Sequence, residues 1–410
     1  MSPLPYPIPP GVHALPSESL DLRPDELIDH QILNPPPITS IKNIWFFWHS
    51  GYPTMHPYTK RTVRAWHRRF TKKGWTIRVL DQLSNSPNNV KNYLDTHDRS
   101  IFPSAFVENR LSGTHALQHT SDLVRWPLLL KYGGVYADVG LMQIGDLDAL
   151  WNKTIADENS PYEVLSYSTG EEDRYTLANY FMGCAPGNEL FTRCHELLLG
   201  IWNENGGRLS TEGTHSSPLL RGVPLMGGTF TITNDDGSVI SAEDAGKMLT
   251  DYIIQGQAAT AVMGIVDPAS NWDGPAYCRK HFYALPFMDG AQLINEFTNW
   301  DGQRAFDLMS LSLPGFGEEE NDDQKAAREI VEACLKRSFA FKLAHGLILK
   351  VFKCTLGSLW RGNEGSDVVS GTYGDWLRFG MVHWAPDVLM ENIELPVIEP
   401  IRVGGLLDVE

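Results

Sequence analysis

The chain has 410 residues, of which 42% are hydrophobic and 20% charged, and its formal net charge is −16. A chain of this length and composition can bury a large core, which excludes disorder as its default state. The negative charge argues against nonspecific binding to nucleic acid. None of the five cysteines lies in a C-x-x-C pair, so free thiols in a reducing compartment are expected rather than a disulfide or zinc framework.

The proline-rich stretch at 1–40 predicts an extended, mobile arm and lacks the pattern of a signal peptide. No stretch reaches the roughly 18 to 20 uninterrupted apolar residues that a membrane span needs. The most apolar segment, 339–360, contains three lysines and a histidine and favours a core or interfacial helix. We therefore expect a cytoplasmic protein without a transmembrane segment, and peripheral attachment to an internal membrane is the alternative.

Residues 43–80 predict a strand, a helix and a second strand. NIWFFW at 43–48 and WTIRVL at 75–80 are rich in aromatic and β-branched residues, and a βαβ unit of this length indicates a parallel sheet in an α/β fold. The intervening helix carries seven Lys and Arg residues between Lys60 and Lys73 and no acid. Its cationic face is either merely solvated or holds an anionic partner, namely phosphate, a lipid headgroup or an RNA.

The segment ALQHTSDLVRWPLLLKYGGVYADVG at 116–140 predicts a helix capped near Thr120 and stopped at Gly133. Because of Pro127, this helix is either kinked there or begins nearer Arg125. A short strand follows and ends at Asp138, where open α/β sheets gather their ligands. Further patterns predict a strand at 180–184, a helix at 188–202, a hairpin over 228–241 and mostly helices from residue 292 onward.

Together, IWFFWHSG at 44–51 and SDLVRWPLLLKYGGVYAD at 121–138 resemble sugar-transferase families with S-D-x-x-R and Y-G-G-x-Y-x-D. The chain is similar to capsular-polysaccharide-synthesis-like glycosyltransferases of bacteria and fungi, relatives of mannosyltransferases with a D-x-D sugar-binding motif. This resemblance implies a GT-A-like (Rossmann-like) α/β/α sandwich at 41–300. The arm at 1–40 precedes it, and a mostly helical C-terminal extension at 301–410 closes the site.

The resemblance also implies an activity, the transfer of a hexose from a nucleotide-diphosphate sugar to an acceptor hydroxyl with retention of configuration. Some fungal members are thought to glycosylate small terpenoid products. A small hydrophobic metabolite or a glycan is therefore the expected acceptor, and the twelve tryptophans suit the former.

By position, the resemblance places Trp48 against the nucleobase, Asp122 and Arg125 on the nucleotide and its sugar, and Tyr136 in the donor pocket. Asp138 is then the first aspartate of the D-x-D motif. From the residues alone, Asp122 and Arg125 are also explained as an intrahelical ion pair, and Trp48 as a core residue.

Candidate residues outside the motifs were also identified. Asn179 is a candidate catalytic residue on the acceptor side, together with Asp138. The segment before residue 385 combines aromatic residues with a histidine as closing loops do, and it adds candidate nucleotide-sugar contacts at Trp376, His383 and Trp384.

In D-x-D enzymes Mn²⁺ or Mg²⁺ neutralises the departing diphosphate. Here the motif reads Asp138-Val139-Gly140, so the second carboxylate is missing. Asp138 is the expected metal ligand, but metal dependence stays open. A Lys or Arg from elsewhere could supply the charge instead. The candidate substitutes for the missing acid are Gln143, Asp146, Asp148, His383 and Asp387.

Two rival functions remain open at this point. In one, the scaffold is repurposed for aminoacyl-tRNA-dependent peptide-bond or cyclodipeptide synthesis, with the Lys60 to Lys73 helix on RNA phosphates. In the other, the chain is a binding module without activity.

Overall fold

The computed structural model describes residues 5–227, 230–234, 236–315 and 317–409. The strands are β1 (Val12–Ala14), β2 (Asn43–Phe47), β3 (Thr76–Leu80), β4 (Gly134–Ala137), β5 (Leu141–Gln143), β6 (Val164–Ser168), β7 (Phe181–Cys184), β8 (Ile232–Thr233), β9 (Val239–Ile240), β10 (Ile265–Asp267), β11 (Trp272–Asp273), β12 (Phe282–Pro286), β13 (Ala340–Lys342), β14 (Trp384–Pro386) and β15 (Arg402–Val403). The helices are α1 (Asp25–Leu33), α2 (Pro57–Phe70), α3 (Ser104–Val107), α4 (Ala116–Tyr132), α5 (Leu147–Lys153), α6 (Glu189–Asn203), α7 (Ala242–Tyr252), α8 (Ile254–Gly264), α9 (Gly274–His281), α10 (Leu293–Phe297), α11 (Gly302–Ser310), α12 (Asp322–Arg337), α13 (Ile348–Phe352), α14 (Leu356–Gly362) and α15 (Tyr373–His383).

Six strands form the central sheet in the order β12-β6-β7-β4-β2-β3. β12 is parallel to β6, and β4, β2 and β3 are parallel to one another, but β7 runs antiparallel to both β6 and β4. The parallel pairing predicted for the βαβ unit at 43–80 is confirmed by β2 and β3, but the sheet as a whole is mixed because β7 runs antiparallel. A loop joins β6 to β7, and antiparallel neighbours need no crossover helix.

Alternate residues of β2 point into two different cores. Trp45 and Phe47 belong to a cluster with residues of α4, α6 and α8, whereas Ile44 and Phe46 belong to a cluster with residues of α2 and α5. Helices therefore cover both faces of the sheet, which explains why β2 is apolar at every position after Asn43. The predicted α/β class is confirmed.

The N-terminal arm is folded onto the rest of the chain from residue 5 onward, although its proline content predicted mobility. β1 pairs antiparallel with β14, and α1 buries Ile28 and Ile32 completely. These two isoleucines lie one turn apart on the same helix face, which gives the arm an apolar contact of its own. Residues 1–4 of the predicted arm lie outside the described residues.

Three arginines on the cationic face of α2 pair with acids of the same chain, so these side chains are neither merely solvated nor open to an outside anion. Arg64 pairs with Asp25 and Asp29, and Arg68 pairs with Asp25 at 2.7 Å. Arg61 pairs with Asp367, whose side chain is fully buried. The acids come mainly from α1, which the sequence pattern did not identify as a helix.

The apolar segment 339–360 is not one helix, contrary to prediction, but β13, α13 and α14 in succession. Gly346 and Lys353 adopt positive φ angles of 74° and 62°, which an α-helix cannot accommodate. No helix among the described residues is both long and apolar enough to cross a membrane.

The remaining predicted elements are present with shifted ends. α4 begins at Ala116, a turn before the predicted cap at Thr120, and continues through Pro127. β8 and β9 form the predicted hairpin, of which Gly228, Thr229 and Asp235 lie outside the described residues.

The C-terminal helices pack against both earlier parts of the chain. α11, α12, α14 and α15 share a buried cluster with Tyr6 of the arm and Tyr58 of α2, and β13 pairs with β5. These contacts cross the predicted domain boundaries, which stay predictions. The pairing of β13 with β5 brings a distant segment to the end of β4.

Candidate functional site

A cluster of four charged side chains lies at the carboxyl end of β4. The guanidinium Nη2 of Arg125 is 2.9 Å from Oδ1 of Asp122 and 3.6 Å from Oδ1 of Asp138. The ammonium Nζ of Lys342 is 2.5 Å from the other oxygen of Asp138, Oδ2. The structure thus brings together the three charged residues of the sequence motifs and adds a lysine that sequence reasoning missed.

The connection between α4 and β4 depends on a glycine. Gly134 has a φ of 91°, and a Cβ atom built there would lie 2.3 Å from the carbonyl oxygen of Asn43. Only glycine allows β4 to approach β2 this closely. The Asp138 amide then donates to the Tyr180 carbonyl at 2.9 Å, which fixes the aspartate at the strand end.

The ring of Tyr136 packs against the guanidinium of Arg125. The guanidinium lies 4.5 Å above the centre of the Tyr136 ring, and the Tyr136 hydroxyl is 2.6 Å from the hydroxyl of Ser121. The resemblance had placed Tyr136 in the donor pocket. Tyr136 is only 1% exposed, however, and it supports the arginine instead of lining an open pocket. Cation–π contact and burial fix the guanidinium in one orientation.

Asn179 lies beside this cluster, in the loop before β7. Its amide donates to Oδ1 of Asp122 and to Gln255, both at 3.2 Å. Gln255 in turn donates to the backbone carbonyl of Asp122 at 2.8 Å and is fully buried. Gln255 was not identified from the sequence, and no sequence signal distinguishes it from the second buried glutamine of α8, Gln257.

Trp48 lies at the carboxyl end of β2 and is partly buried. Its indole nitrogen donates to Thr54 at 3.2 Å, and its ring meets His56 edge-on at 5.7 Å. His56 stacks on Tyr58, whose hydroxyl is 2.7 Å from Nε2 of His345. A row of aromatic and imidazole rings therefore runs from Trp48, which is predicted to lie against the nucleobase, to the segment that carries Lys342.

Electrostatic effects differ among the site residues. Burial raises the pKa of Asp138, but the charges of Lys342 and Arg125 outweigh burial and keep this pKa below its usual value. Burial raises the pKa of Asp122 to about 6, against the opposing effect of Arg125. Burial, together with the charge of Lys342, lowers the pKa of His345 to about 3. His345 is therefore neutral near pH 7, while Asp138 is ionised.

The predicted C-terminal contacts lie elsewhere. His383 stacks on Phe379 at 4.2 Å, and Trp384 is 1% exposed within the cluster of the C-terminal helices. The indole of Trp376 donates to the backbone carbonyl of Pro7 at 3.1 Å. The structure therefore does not bring these side chains to Asp138, because α15 packs them against the folded arm.

The candidate substitutes for the missing second acid also have other partners. Lys73 holds Asp146 at 2.7 Å, and Lys42 holds Asp148 at the same distance. Gln143 is fully buried and donates to the carbonyl of Gly145 at 3.0 Å, Asp387 pairs with His13 at 2.8 Å, and His383 stacks on Phe379.

The residues around Asp138 do not fit a divalent cation. Its carboxylate already contacts two cationic side chains, and Gly140 offers no second carboxylate. Hard cations bind several oxygen ligands. In the described ranges, no group of three or more His, Cys, Asp or Glu side chains is arranged to hold a metal ion.

Comparisons with known proteins agree with this arrangement of motifs. A model of the family described as capsular polysaccharide synthesis protein matches residues 21–209. O-glycosyltransferase braB of Annulohypoxylon truncatum is 33% identical over 97% of this chain and 94% of the relative. The probable glycosyltransferase FCK3 of Fusarium pseudograminearum is 32% identical over 96% of each chain. Glycosyltransferase afumC of Aspergillus fumigatus is 30% identical over 93% of this chain and 95% of the relative.

Likeness to solved structures is much weaker. The PaToxG glycosyltransferase is 14% identical, with a TM-score of 0.28 over 45% of this chain and 68% of that chain. A score this low carries no argument about the fold. The near-complete sequence matches decide the family. The chain belongs to the capsular-polysaccharide-synthesis-like glycosyltransferases.

Proposed function

We propose that the chain is an O-glycosyltransferase that moves a hexose from a nucleotide-diphosphate sugar to a hydroxyl of a small hydrophobic acceptor, with retention of configuration. The relative braB is named an O-glycosyltransferase, which supports an oxygen acceptor. The mixed sheet with helices on both faces supports a GT-A-like arrangement.

The observation that carries the proposal is the convergence of Arg125 and Lys342 on Asp138 at the end of β4. Two fixed cations beside a partly open carboxylate suit a diphosphate and the sugar attached to it. In this proposal Trp48 stacks on the base, and Asn179 orients a sugar hydroxyl beside Asp122. Asp138 stabilises the positive charge that develops on the sugar as its bond to the diphosphate breaks.

An apolar surface beside α13 supports a hydrophobic acceptor. Leu225, Met226 and Phe230 are each about two-fifths exposed, and the rings of Phe230 and Phe352 lie 5.8 Å apart. Phe352 ends α13, which follows directly on the Lys342 to His345 segment. An exposed apolar group of this kind is typical of a binding surface.

No observation on the described residues favours the RNA-dependent rival. Its basis was the basic helix, and Arg64 and Arg68 of that helix bind acids of the same chain.

A thermal-shift screen against uridine and guanosine diphosphate sugars tests the proposal. We expect one donor to raise the melting temperature, because a ligand at one hundred times its Kd stabilises the native state by about 2.7 kcal/mol. Asp138→Asn keeps the shape of the side chain and should abolish transfer of the sugar. The exposed Asp157→Asn is the matched control and should transfer normally. If no donor shifts the melting temperature and no sugar is transferred, the proposal is refuted.

A further inference from the structure

We propose that Lys342 supplies, from within the chain, the positive charge that a divalent cation provides in D-x-D enzymes, so that the diphosphate binds without metal. This inference rests on the proposed function and adds the means by which the leaving group is neutralised.

The position of Lys342 is fixed by strand pairing. β13 runs antiparallel to β5, with Lys342 opposite Leu141, only three residues after Asp138. The side chain of Lys342 is 15% exposed, and its ammonium lies 5.3 Å from the centre of the Tyr180 ring. The ammonium therefore has a defined place at the end of β4 rather than moving freely in solvent.

The same segment accounts for the missing acid of the motif. The Leu343 amide donates to the carbonyl of Gly140 at 2.9 Å. A Cβ atom at Gly140 would lie 3.0 Å from the Leu343 carbonyl oxygen, tighter than an ordinary contact. An aspartate at this position would push the segment away and take Lys342 with it. The position of Lys342 beside Asp138 therefore depends on glycine at residue 140.

The formal charges at the site are already balanced. Asp122 and Asp138 face Arg125 and Lys342, so two carboxylates meet two cations. A D-x-D site carries an excess of negative charge and needs a metal ion before it can accept a diphosphate. Here a divalent ion at Asp138 would be repelled by the ammonium in contact with the same carboxylate.

Lys342 keeps the capacity to bind phosphate while it contacts Asp138. An ammonium group has three donors, and among the described residues Asp138 is the one side chain that accepts from it. The other donors are available to diphosphate oxygens.

In the transfer step, the bond between C1 of the sugar and the diphosphate oxygen breaks, and its electron pair stays on the diphosphate. The acceptor oxygen forms the new bond to C1, and its proton passes to the leaving diphosphate. Lys342 donates hydrogen bonds to that diphosphate as its charge increases.

Calorimetric titration of the full chain with UDP and with GDP tests this inference, in EDTA and then in Mn²⁺. We expect one of the two to bind in EDTA with an affinity within threefold of that in Mn²⁺. Lys342→Met should weaken binding at least tenfold, and Lys342→Arg should restore part of the loss because it keeps the charge. The exposed Lys280→Met removes the same charge elsewhere and should bind as the unmodified chain does.

Binding that requires Mn²⁺ overturns the inference and leaves the proposed glycosyltransferase intact. Equal binding by Lys342→Met and the unmodified chain overturns it as well. The comparison of EDTA with Mn²⁺ needs no variant, so poor folding of Lys342→Met cannot obscure the result. If neither diphosphate binds under either condition, the proposed function is refuted together with the inference.

Discussion

Gly140→Ala is expected to destabilise the protein although its backbone conformation permits alanine. The new methyl would lie 3.0 Å from the Leu343 carbonyl oxygen and 3.5 Å from the Leu343 Cβ. Overpacking of this kind destabilises the native state by about 1 to 3 kcal/mol. Replacing glycine by alanine also lowers the conformational entropy of the unfolded state, which offsets about 0.4 to 1 kcal/mol of that loss. Because the Leu343 carbonyl must give way by only a few tenths of an ångström, we expect a net loss of about 1 kcal/mol.

Urea denaturation measures this loss as a lower midpoint at an unchanged slope. Gly362→Ala is the matched control, because a Cβ atom there meets nothing within 4 Å. At the last residue of α14 this change should cost nothing and can only add to helix stability, by less than the roughly 0.5 to 1 kcal/mol of a helix interior. If Gly140→Ala is as stable as Gly362→Ala, the close contact between Gly140 and Leu343 is refuted. The displaced segment carries Lys342, so Gly140→Ala should also weaken diphosphate binding.

Three further predictions concern titration, ion pairing and thiol reactivity. The pKa of Asp122 rises from 3.8 to about 6 on folding, so the native state binds more protons than the unfolded state between these pH values. The free energy of unfolding therefore falls as the pH rises through this range. Asp122→Asn should flatten this decline, which urea midpoints measured at several pH values would show. Arg64→Met and Asp29→Asn should each destabilise, and a double-mutant cycle should give a coupling of about 1 to 2 kcal/mol because the pair is partly buried and doubly hydrogen-bonded. A thiol reagent should modify one cysteine quickly, Cys354, since the other four are buried.

Each of these has a result that would contradict it. For Asp122, the contradicting result is a pH profile of the variant parallel to that of the unmodified chain. For the ion pair, it is strictly additive costs of the two substitutions. Rapid modification of a second thiol in the native protein would show that the core around the cysteines opens readily.

Local patterns predicted most of the segment that builds the site. An apolar and aromatic run identified the strand at 43–48, alternation and β-branched residues identified the strand at 75–80, and the glycines after Tyr132 marked the end of α4. These signals act over a few residues, so they do not depend on the rest of the fold. The start of α4 was missed by a turn because no side chain caps it at His115.

The predicted site residues lie together in the structure where they belong to neighbouring elements, and they lie apart where the chain separates them. Asp122, Arg125 and Asp138 converge because α4 leads directly into β4. His383 and Trp384 are of residue types that could bind a nucleotide sugar, but they lie at the end of α15 and in β14, which pack against the arm. Composition cannot distinguish these cases, since an aromatic residue suits a core as well as a ligand pocket.

The sequence by itself determined the α/β class, the strand that ends at Asp138 and the helix that presents Arg125 to it. Periodicity and glycine positions encode such features locally. Only the tertiary structure decided that Lys342, 204 residues further along the chain, neutralises Asp138, and that α1 neutralises the cations of α2. A charged side chain takes its partner from whichever segment packs beside it, and that packing is set by the burial of apolar surface across the whole chain.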